Sequence, residues 1–331
     1  MAGDGEDASL QMDRLRTLAI LVVNYGSHAL VEANLARSLP PGFPGQVIVV
    51  DNYSSQEERV AITAVCDRHG WDLLALERNE GFGGGNNRAA AQAISAGAAE
   101  LLMVNPDAWL KPDTIRGLQE QVIENRRLQL APTVLRPDGA LYGAEMDLHL
   151  DLGQMRSTRK RPPEVSPGQV HTWVSGACFA ISAALWQEVG GFDDDYFLYW
   201  EDVDLSRRVS LAGGAVRADP TLQAVHDEGS THRRNDASRA KSPIYYYYNA
   251  RNRLVYAAKH LSRDDRRRWL LQTPRATYRL LLQGGKRQFV HPLRTFWPAL
   301  RGSWHGVLAL RSLERGDAAR SGTNPDERKT R

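Results

Sequence analysis

The chain has 331 residues, of which 42% are hydrophobic, and its net charge is only +3. This length and composition allow one sizeable core with an appendage. The two cysteines, Cys66 and Cys178, lack the spacing of metal ligands, which argues against a disulfide framework and indicates a reducing compartment. No run of about 18 apolar residues is present, so we expect no membrane-spanning helix.

Charge is distributed unevenly along the chain. Residues 251–331 hold 19 Lys and Arg against 6 Asp and Glu, whereas the rest of the chain is acidic. Residues 1–14 are acidic and have no apolar signal-peptide core, so we expect a disordered tail there, and another over 319–331. A basic C-terminal segment indicates contact with something anionic, although a solvated tail explains the last dozen residues equally well.

Apolar runs alternate with helical patterns from residue 17 onward. Strands are predicted over 17–25, 46–52, 71–79 and 100–110, with helices over 28–39, 54–70 and 83–97 between them. This βα spacing predicts an open α/β sheet with right-handed crossovers.

The rhythm changes after about residue 131. "RPDGALYG" (136–143) predicts a hairpin, a polar loop follows, and 171–192 predicts another strand–helix unit. From residue 245 we expect a separate, basic, mostly helical region.

Polar side chains stand at the ends of the predicted strands. In open α/β sheets, ligands bind beyond the carboxyl ends of the strands. Each of these residues alone is an ordinary turn residue, but four strand ends in register predict a binding edge. The residues are Asn24, Tyr25, Asp51, Asn52, Asn79, Asn105 and Asp107.

The glycine-rich segment "RNEGFGGGNNRAA" (78–90) precedes a predicted helix. Its glycines allow the backbone to approach a ligand, and a helix N-terminus is a common anion site. It is not the dinucleotide fingerprint, because Asn86 stands where the third glycine belongs and no acidic residue follows at the required distance. A glycine-rich turn without a ligand is the alternative interpretation.

"VNPDAWL" (104–110) places Asp107 at the end of a buried strand, two residues after Asn105. This pattern suits Mg²⁺ or Mn²⁺, which takes one or two protein carboxylates and completes its shell with substrate phosphates and water. An Asx turn that closes a strand is the alternative. His226 lies near the end of another predicted strand, and a lone His is usually structural.

In "YFLYWEDVDLSRR" (196–208), helical spacing places Asp202 on the inward stripe with Leu205 and Val209, and Asp204 elsewhere. A carboxylate in the first helical turn is favoured by the helix dipole, so Asp202 can stay ionised and act as a general base. We expect a sugar-like substrate to stack on the preceding aromatic residues and to lose a proton to Asp202. The alternative is a helix start that simply favours acidic residues.

These motifs, in this order over residues 17–256, resemble the inverting family 2 glycosyltransferases with the GT-A fold, and most closely the rhamnosyltransferase-like branch. The resemblance implies a Rossmann-like, mostly parallel central sheet with flanking helices, plus a helical, basic C-terminal extension. It implies a glycosyltransferase domain over 15–245, with a nucleotide-sugar half at 15–130 and an acceptor half at 131–245. The helical region would span 246–318.

The resemblance also implies roles for single residues. Asp202 matches the catalytic base, with Glu201 beside it, and Asp107 matches the metal ligand of an Asp-x-Asp-type motif whose first Asp is Asn105 here. His226 would complete the coordination of Mg²⁺ or Mn²⁺. The acceptor would lie against Gly176, Ala177, Tyr199 and Trp200. The remaining donor contacts would come from Asn24, Tyr25, Asp51, Asn79, Gly83, Gly84, Gly85, Asn86 and Asn87.

The implied reaction is a single displacement with inversion, assisted by a metal. The donor would be a dTDP- or UDP-linked sugar, with dTDP-rhamnose favoured by the branch, and the acceptor a polyprenyl-diphosphate-linked saccharide. No nucleic-acid partner is expected.

The C-terminal stretch 286–311 is basic and amphipathic, with a kink expected at Pro298. A membrane-surface helix has this pattern, which would place a cytoplasmic protein on the inner face of the membrane. Packing on the chain's own domain, or on a second subunit in a homodimer, explains it equally well. The apolar residues predicted near one face are Phe289, Leu293, Phe296, Leu300, Trp304 and Leu308.

Three other functions share some of these features. A sugar-nucleotide-binding or nucleotidyl-transfer protein would use the same cleft without Asp202 chemistry. An oxidoreductase would need the missing third glycine, and a membrane-docking scaffold would turn over no donor.

Overall fold

The structure, a computed structural model, describes residues 14–39, 42–226, 241–285 and 292–320. Phe289 and most of the two predicted tails lie outside these ranges. Of the tails, only residue 14 and residues 319–320 are described. The chain divides into two compact units. The first is Met1–Leu148, Met155–Val165 and His171–Asn235, and the second is His149–Gln154, Ser166–Val170 and Asp236–Arg331. The second unit includes two short segments from the middle of the chain.

Strands and helices alternate through the first half of the first unit. The strands are β1 (Leu18–Asn24), β2 (Gln46–Asp51), β3 (Asp72–Ala75), β4 (Glu100–Val104), β5 (Ala108–Leu110), β6 (Leu128–Leu135), β7 (Leu141–Gly143), β8 (Met146–His149), β9 (Gln154–Ser157), β10 (Val170–Trp173), β11 (Cys178–Ser182) and β12 (Ala215–His226). The helices are α1 (His28–Ser38), α2 (Gln56–His69), α3 (Gly81–Ser95), α4 (Pro112–Glu124), α5 (Ala183–Val189) and α6 (Glu201–Leu211).

The large sheet runs in the order β3-β2-β1-β4-β11-β6-β12-β5. Its first four strands are parallel, which confirms the predicted α/β class. Every residue of β1 is buried, because alternate side chains enter two hydrophobic clusters, Ile20 and Val22 in one and Leu21 and Val23 in the other. The helices that cover both faces therefore leave the strand ends as the open edge of the sheet.

The second half of the sheet is mixed. β11 lies antiparallel between β4 and β6, and β12 is parallel to β6 but antiparallel to β5. The single strand predicted over 100–110 is wrong, because the chain turns at Asn105–Asp107 and continues as β5 beside β12. Only three residues join β4 to β5, so these two strands must lie close together although they stand far apart in the strand order. The sheet therefore curls. The hairpin predicted at 136–143 is present as β6–β7, and β8–β10 form a separate three-stranded sheet.

The second unit is helical, as predicted, and comprises α7 (Pro243–His260), α8 (Arg263–Leu271), α9 (Thr273–Leu282) and α10 (Pro292–Arg320). Helix α10 continues through Pro298 and packs on α7 at two glycines. A Cβ atom at Gly302 would overlap Tyr247 O, and one at Gly306 would lie 2.9 Å from Arg251 O. Within the described ranges, no helix is both long and apolar enough to cross a bilayer.

Candidate active site

The ends of β1 and β2 place Asn24 opposite Asp51, and both side chains are buried. Asn24 Nδ2 donates to Glu58 Oε1 at 2.9 Å, and Asn24 Oδ1 accepts from Ser27 N at 2.9 Å. Asp51 Oδ2 accepts from Arg59 Nε at 2.6 Å. Asp51 Oδ1 is buried without a hydrogen-bond partner among the described residues. Because buried acceptors are rarely left unpaired, this oxygen is available to an N–H group of a ligand.

Sequence reasoning missed Glu58, which organises this strand end. Its carboxylate accepts from His28 N at 2.7 Å and contacts His28 Nδ1 at 2.7 Å, besides holding Asn24. Burial opposes ionisation of Glu58, but the hydrogen bonds from Asn24 and His28 outweigh it and lower its pKa. The only local signal for this residue is its place in the first turn of α2, where acidic side chains are common.

Two aromatic rings are exposed near the same strand ends. Tyr25 follows β1 and is 55% exposed, and Tyr53 follows β2 and is 38% exposed. Tyr53 has a left-handed backbone (φ 41°), and the guanidinium of Arg59 lies 4.8 Å from its ring centroid. The ends of β1 and β2 therefore combine exposed aromatic rings with one carboxylate oxygen that has no hydrogen-bond partner in the described ranges.

The turn before α3 is fixed by Asn52 and Asn79. Asn52 Nδ2 donates to Asn79 Oδ1 at 3.0 Å and to Gly81 O at 2.9 Å, while Asn52 Oδ1 accepts from Glu80 N at 2.8 Å. Asn79 Oδ1 also accepts from Gly81 N at 2.8 Å. These bonds give Asn79 a structural role, and its predicted contact with the donor stays a prediction.

The glycines of 81–85 lie inside helix α3, which begins two residues before the predicted start. A Cβ at Gly81 would overlap Phe197 O, one at Gly83 would lie 2.9 Å from Phe192 Cβ, and one at Gly85 would lie 2.9 Å from Val23 Cγ1. Close packing thus accounts for these glycines without a ligand. The backbone N–H of Phe82 donates to Phe197 O at 3.1 Å, so protein acceptors already occupy part of this helix N-terminus.

Asn86 and Asn87 also have protein partners. Asn86 Nδ2 donates to Phe82 O at 3.0 Å within the helix. Asn87 Nδ2 donates to Phe192 O at 2.8 Å, and Asn87 Oδ1 accepts from Phe192 N at 2.8 Å. This two-way bridge ties α3 to the segment that leads into α6. Donor contacts by Gly83, Gly84, Gly85, Asn86 and Asn87 stay predictions.

The turn between β4 and β5 brings Asp107 to His226. His226 pairs with Ala108 across β12 and β5, and its Nε2 lies 2.9 Å from Asp107 Oδ1. Both side chains are buried. His226 Nδ1 and Asn105 Oδ1 are buried and have no hydrogen-bond partner in the described part of the chain.

These side-chain atoms fit the coordination shell of a divalent cation. A carboxylate oxygen, an amide oxygen and an imidazole nitrogen are ligands that Mn²⁺ accepts, and a buried acceptor without a partner is one that a cation would satisfy. Within the described ranges, no group of three or more His, Cys, Asp or Glu side chains is arranged to hold a metal ion. A cation at Asp107 and His226 would therefore complete its shell with oxygens from a bound phosphate and water.

Helix α6 begins directly after two strained residues. Tyr199 (φ 66°) and Trp200 (φ 75°) both have left-handed backbones, which costs free energy in residues that are not glycine. Strain of this kind persists where the surrounding structure fixes it, and it clusters at functional sites. Here the two residues directly precede the acidic first turn of α6.

The expectation that Asp204 faces away from the interior is wrong. Asp204 is fully buried and pairs with Arg208 at 2.7 Å, one helical turn later. Arg208 Nη1 in turn donates to Gly191 O at 2.7 Å. The opposite charge and these hydrogen bonds allow a carboxylate in the interior, which helical spacing alone does not reveal.

Asp202 is held by two backbone amides. Its Oδ2 accepts from Gly176 N at 3.0 Å, and its Oδ1 accepts from Val203 N at 2.8 Å. Burial raises the pKa of Asp202 to about 6, although these hydrogen bonds oppose the shift. Glu201 is fully enclosed, and burial followed by the charge of Asp202 raises its pKa well above the ordinary value. Burial thus makes both neighbouring carboxyl groups easier to protonate than they are in water.

The same short segment links Asp202 to the Asn105–Asp107 turn. Gly176 N donates to Asp202, and the next residue, Ala177, accepts from Asn105 N at 2.9 Å. A Cβ at Gly176 would lie 3.2 Å from Phe82 and 3.5 Å from Asp202 Cβ, so a side chain here would crowd the carboxylate. The structure thus gathers Asp202, Gly176, Asn105, Asp107 and His226 at one edge of the sheet.

The sequence model for glycosyl transferase family 2 matches residues 22–190, about half of the chain. The chain belongs to this family. The match runs from β1 to α5 and thus includes Asn24, Asp51 and the Asn105–Asp107 turn. The predicted family and enzyme class are confirmed.

Relatives of this family 2 glycosyltransferase include two rhamnosyltransferases. It is 29% identical over 249 residues to the N-acetylglucosaminyl-diphospho-decaprenol L-rhamnosyltransferase of Mycobacterium tuberculosis, covering 67% of this chain and 79% of the relative. It is 26% identical over 222 residues to the rhamnosyltransferase WbbL of Escherichia coli, covering 62% and 82%. These relatives support the predicted rhamnosyltransferase-like branch.

A solved structure supports the predicted GT-A fold. The mannosyltransferase PcManGT from Pyrobaculum calidifontis, in complex with GDP-Man and Mn²⁺, superimposes with a TM-score of 0.52 at 14% identity. The match covers 89% of this chain and 86% of that one. The fold of this family 2 glycosyltransferase is therefore the predicted one, and at this identity the likeness concerns the fold alone.

Proposed function

We propose that the protein is an inverting glycosyltransferase that moves a hexosyl group from a nucleotide sugar to a polyprenyl-diphosphate-linked saccharide. The preferred donor is dTDP-rhamnose. The rhamnosyl group and the lipid-linked acceptor are suggested by the names of the rhamnosyltransferase relatives. The observation that carries the catalytic part is the position of Asp202, held by Gly176 N beside the Asn105–Asp107 turn.

Asp202 is the general base. Its carboxylate takes the proton from an acceptor hydroxyl while that oxygen bonds to the anomeric carbon and the bond to the diphosphate breaks on the opposite face. One displacement of this kind inverts the anomeric configuration. The amides of Gly176 and Val203 orient the carboxylate, and a pKa of about 6 keeps it deprotonated at pH 7 yet basic enough to accept a proton.

The nucleotide base binds at the ends of β1 and β2. Asp51 Oδ1 accepts the imide N–H of thymine or uracil, while Arg59 holds the other carboxylate oxygen. The exposed rings of Tyr25 and Tyr53 offer stacking surfaces to the base. Glu58 fixes Asn24 beside them.

Asp107, His226 and Asn105 would hold Mg²⁺ or Mn²⁺. The bound ion supplies positive charge that offsets the charge developing on the departing diphosphate. Asp107 and His226 bring one carboxylate and one imidazole to this position, and their burial makes these metal ligands rigid.

The acceptor binds against the segment that holds Asp202. Gly176 and Ala177 lie between Asp202 and the metal-binding turn, and the absence of a side chain at Gly176 leaves the carboxylate accessible. Tyr199 and Trp200 precede α6 and form the aromatic side of this acceptor site.

A donor panel tests the proposal. Purified protein would be mixed with dTDP-rhamnose, UDP-glucose, UDP-N-acetylglucosamine and GDP-mannose, with and without Mn²⁺, and its melting temperature recorded. Transfer to an N-acetylglucosaminyl-diphospho-lipid and release of free sugar would be measured by chromatography. We expect dTDP-rhamnose with Mn²⁺ to give the largest stabilisation and transfer. Preference for another donor would overturn the rhamnosyl assignment, and stabilisation without transfer or hydrolysis would support a binding protein instead.

A further inference from the structure

Helix α10 is apolar on two opposite faces. Its inner face carries Ala299, Gly302, Gly306 and Leu310, and the two glycines pack directly on α7. Its outer face carries four large apolar side chains that are exposed in the structure. They are Trp297 (64% exposed), Leu300 (53%), Trp304 (60%) and Leu308 (44%).

These four residues form one stripe, because intervals of three and four residues return to the same side of an α-helix. Leu300, Trp304 and Leu308 belong to the predicted face, whereas the side chains of Phe289 and Leu293 are not among those that the structure describes. Phe296 packs inward with Tyr246, Leu281 and Ala299, and the neighbouring Trp297 takes the outward place. The packing of α10 on the chain's own helices, one of the two predicted alternatives, thus accounts for the inner face and leaves the outer face unexplained.

A second exposed stripe lies on the helices that precede α10. Leu271 (73% exposed), Tyr278 (55%) and Leu282 (39%) recur at helical spacing from the end of α8 through α9. Thr277 Oγ1 and Ser303 Oγ are hydrogen-bonded at 2.8 Å, which joins α9 to α10 at residues that immediately precede Tyr278 and Trp304. We call these seven exposed apolar side chains the apolar face of the second unit.

The sequence from the start of α9 to residue 313 of α10 carries charge of one sign. Residues 273–313 contain seven Lys and Arg and no Asp or Glu. Arg275 lies one turn before Tyr278, and Arg301 and Arg311 flank the tryptophan stripe, all three exposed. Exposed tryptophans bordered by arginines are typical of helices that lie in the interface of an anionic bilayer.

We propose that the apolar face docks on the surface of an anionic lipid bilayer. Trp297 and Trp304 enter the headgroup region, Leu300 and Leu308 reach the acyl boundary, and the arginines bind lipid phosphates. This assignment concerns the second unit alone and does not rest on the donor or acceptor proposed for the first.

The charge pattern favours a bilayer over a second copy of the chain. In a two-fold symmetric dimer, the same patch meets itself, so arginines that border this face would approach their own copies. Like charges at an interface are unfavourable, whereas an anionic bilayer supplies the opposite charge.

Vesicle co-sedimentation of the full chain tests the proposal. The vesicles would contain phosphatidylcholine alone or phosphatidylcholine mixed with phosphatidylglycerol. The test variant is the double substitution Trp297→Ser and Trp304→Ser. The control is Leu211→Ser, which changes a side chain that is 61% exposed in the first unit.

We expect the wild type and the control to bind the mixed vesicles, with binding weakened by high salt, and the double variant to bind at least about tenfold more weakly. Circular dichroism and the donor-induced melting shift should be the same in all three proteins. Equal binding by the double variant, or no wild-type binding to mixed vesicles, would overturn the proposal. A wild-type dimer in sedimentation equilibrium that the double variant loses, without vesicle binding, would assign the face to a second copy instead. If the donor did not raise the melting temperature while vesicle binding was intact, that result would contradict the proposed function only.

Discussion

Two turns at the same edge of the sheet treat their polar groups in opposite ways. At the start of α3, the side chains of Asn79, Asn86 and Asn87 all bond to protein backbone or side-chain atoms. At the turn before β5, Asn105 Oδ1 is buried without a partner among the described residues. The protein itself satisfies the first turn, which we interpret as a wall of the proposed site, whereas we propose that the unpaired oxygen of the second turn faces a ligand. Two asparagine-containing motifs that look alike in sequence differ in whether the protein itself satisfies them.

The largest effect should come from Asp202→Asn, which changes a group that we propose faces the substrate. Loss of the base should lower kcat by about 100- to 10,000-fold while the Kd for the donor changes little. Single-turnover transfer and donor titration measure the two quantities separately. Glu201→Gln is the matched control, because it replaces the neighbouring carboxylate with an amide of the same size, and it should stay within a few-fold of wild type. Turnover retained by Asp202→Asn would favour the nucleotidyl-transfer or binding-protein interpretation.

The next largest effect should come from Asp107→Asn. It keeps the shape of the side chain but removes the charge beside His226. The affinity for a nucleotide diphosphate in the presence of Mn²⁺ should fall at least about tenfold, because the cation loses its carboxylate ligand. Calorimetric titration with and without Mn²⁺ would measure this. An unchanged effect of Mn²⁺ on this affinity would contradict a metal site at this turn.

A wall residue should respond differently. Asn87→Ala removes both bonds to Phe192 and leaves a buried N–H group without its partner. We expect a loss of about 1–3 kcal/mol in the free energy of unfolding, with the Mn²⁺ dependence of donor binding retained. Urea denaturation followed by fluorescence measures the first quantity. A stable variant that has lost donor binding would instead make Asn87 a ligand contact.

The smallest effect should appear in the pH dependence of stability. The pKa of Glu201 is raised above 4.5 in the folded protein, so above that pH the unfolded chain releases a proton that the folded chain keeps. Rising pH therefore destabilises the wild type relative to Glu201→Gln, by at most about 1.4 kcal/mol per pH unit. Melting temperatures of both proteins between pH 4 and pH 8 would show curves that diverge toward high pH. Parallel curves would mean that Glu201 ionises normally.

The alternation of strands and helices, the hairpin and the helical extension were all accessible from hydrophobic periodicity, which is a local property. The contact of Asp107 with His226 was not, because it depends on a curled sheet that seats β12 beside β5. The placement of β11 antiparallel between β4 and β6 is likewise a pairing of distant segments that no local pattern specifies.

Three features of the site lay beyond sequence reasoning for identifiable reasons. Glu58 serves both the start of α2 and Asn24, and only the first role has a local pattern. The glycines at 81–85 matched a ligand-binding pattern as well as they matched close packing on Phe192 and Phe197, and three-dimensional contacts separate the two. The left-handed backbone of Tyr199 and Trp200 contradicts their intrinsic preference, which is typical of a functional site.

The rate of single-turnover sugar transfer as a function of pH tests the central claim most directly. With saturating donor and acceptor, the rate should rise with unit slope and level off above about pH 6, because burial raises the pKa of Asp202 to about 6 and only its ionised form accepts the hydroxyl proton. A rate that does not change between pH 4.5 and pH 8 in a chemically limited step would contradict Asp202 as the base.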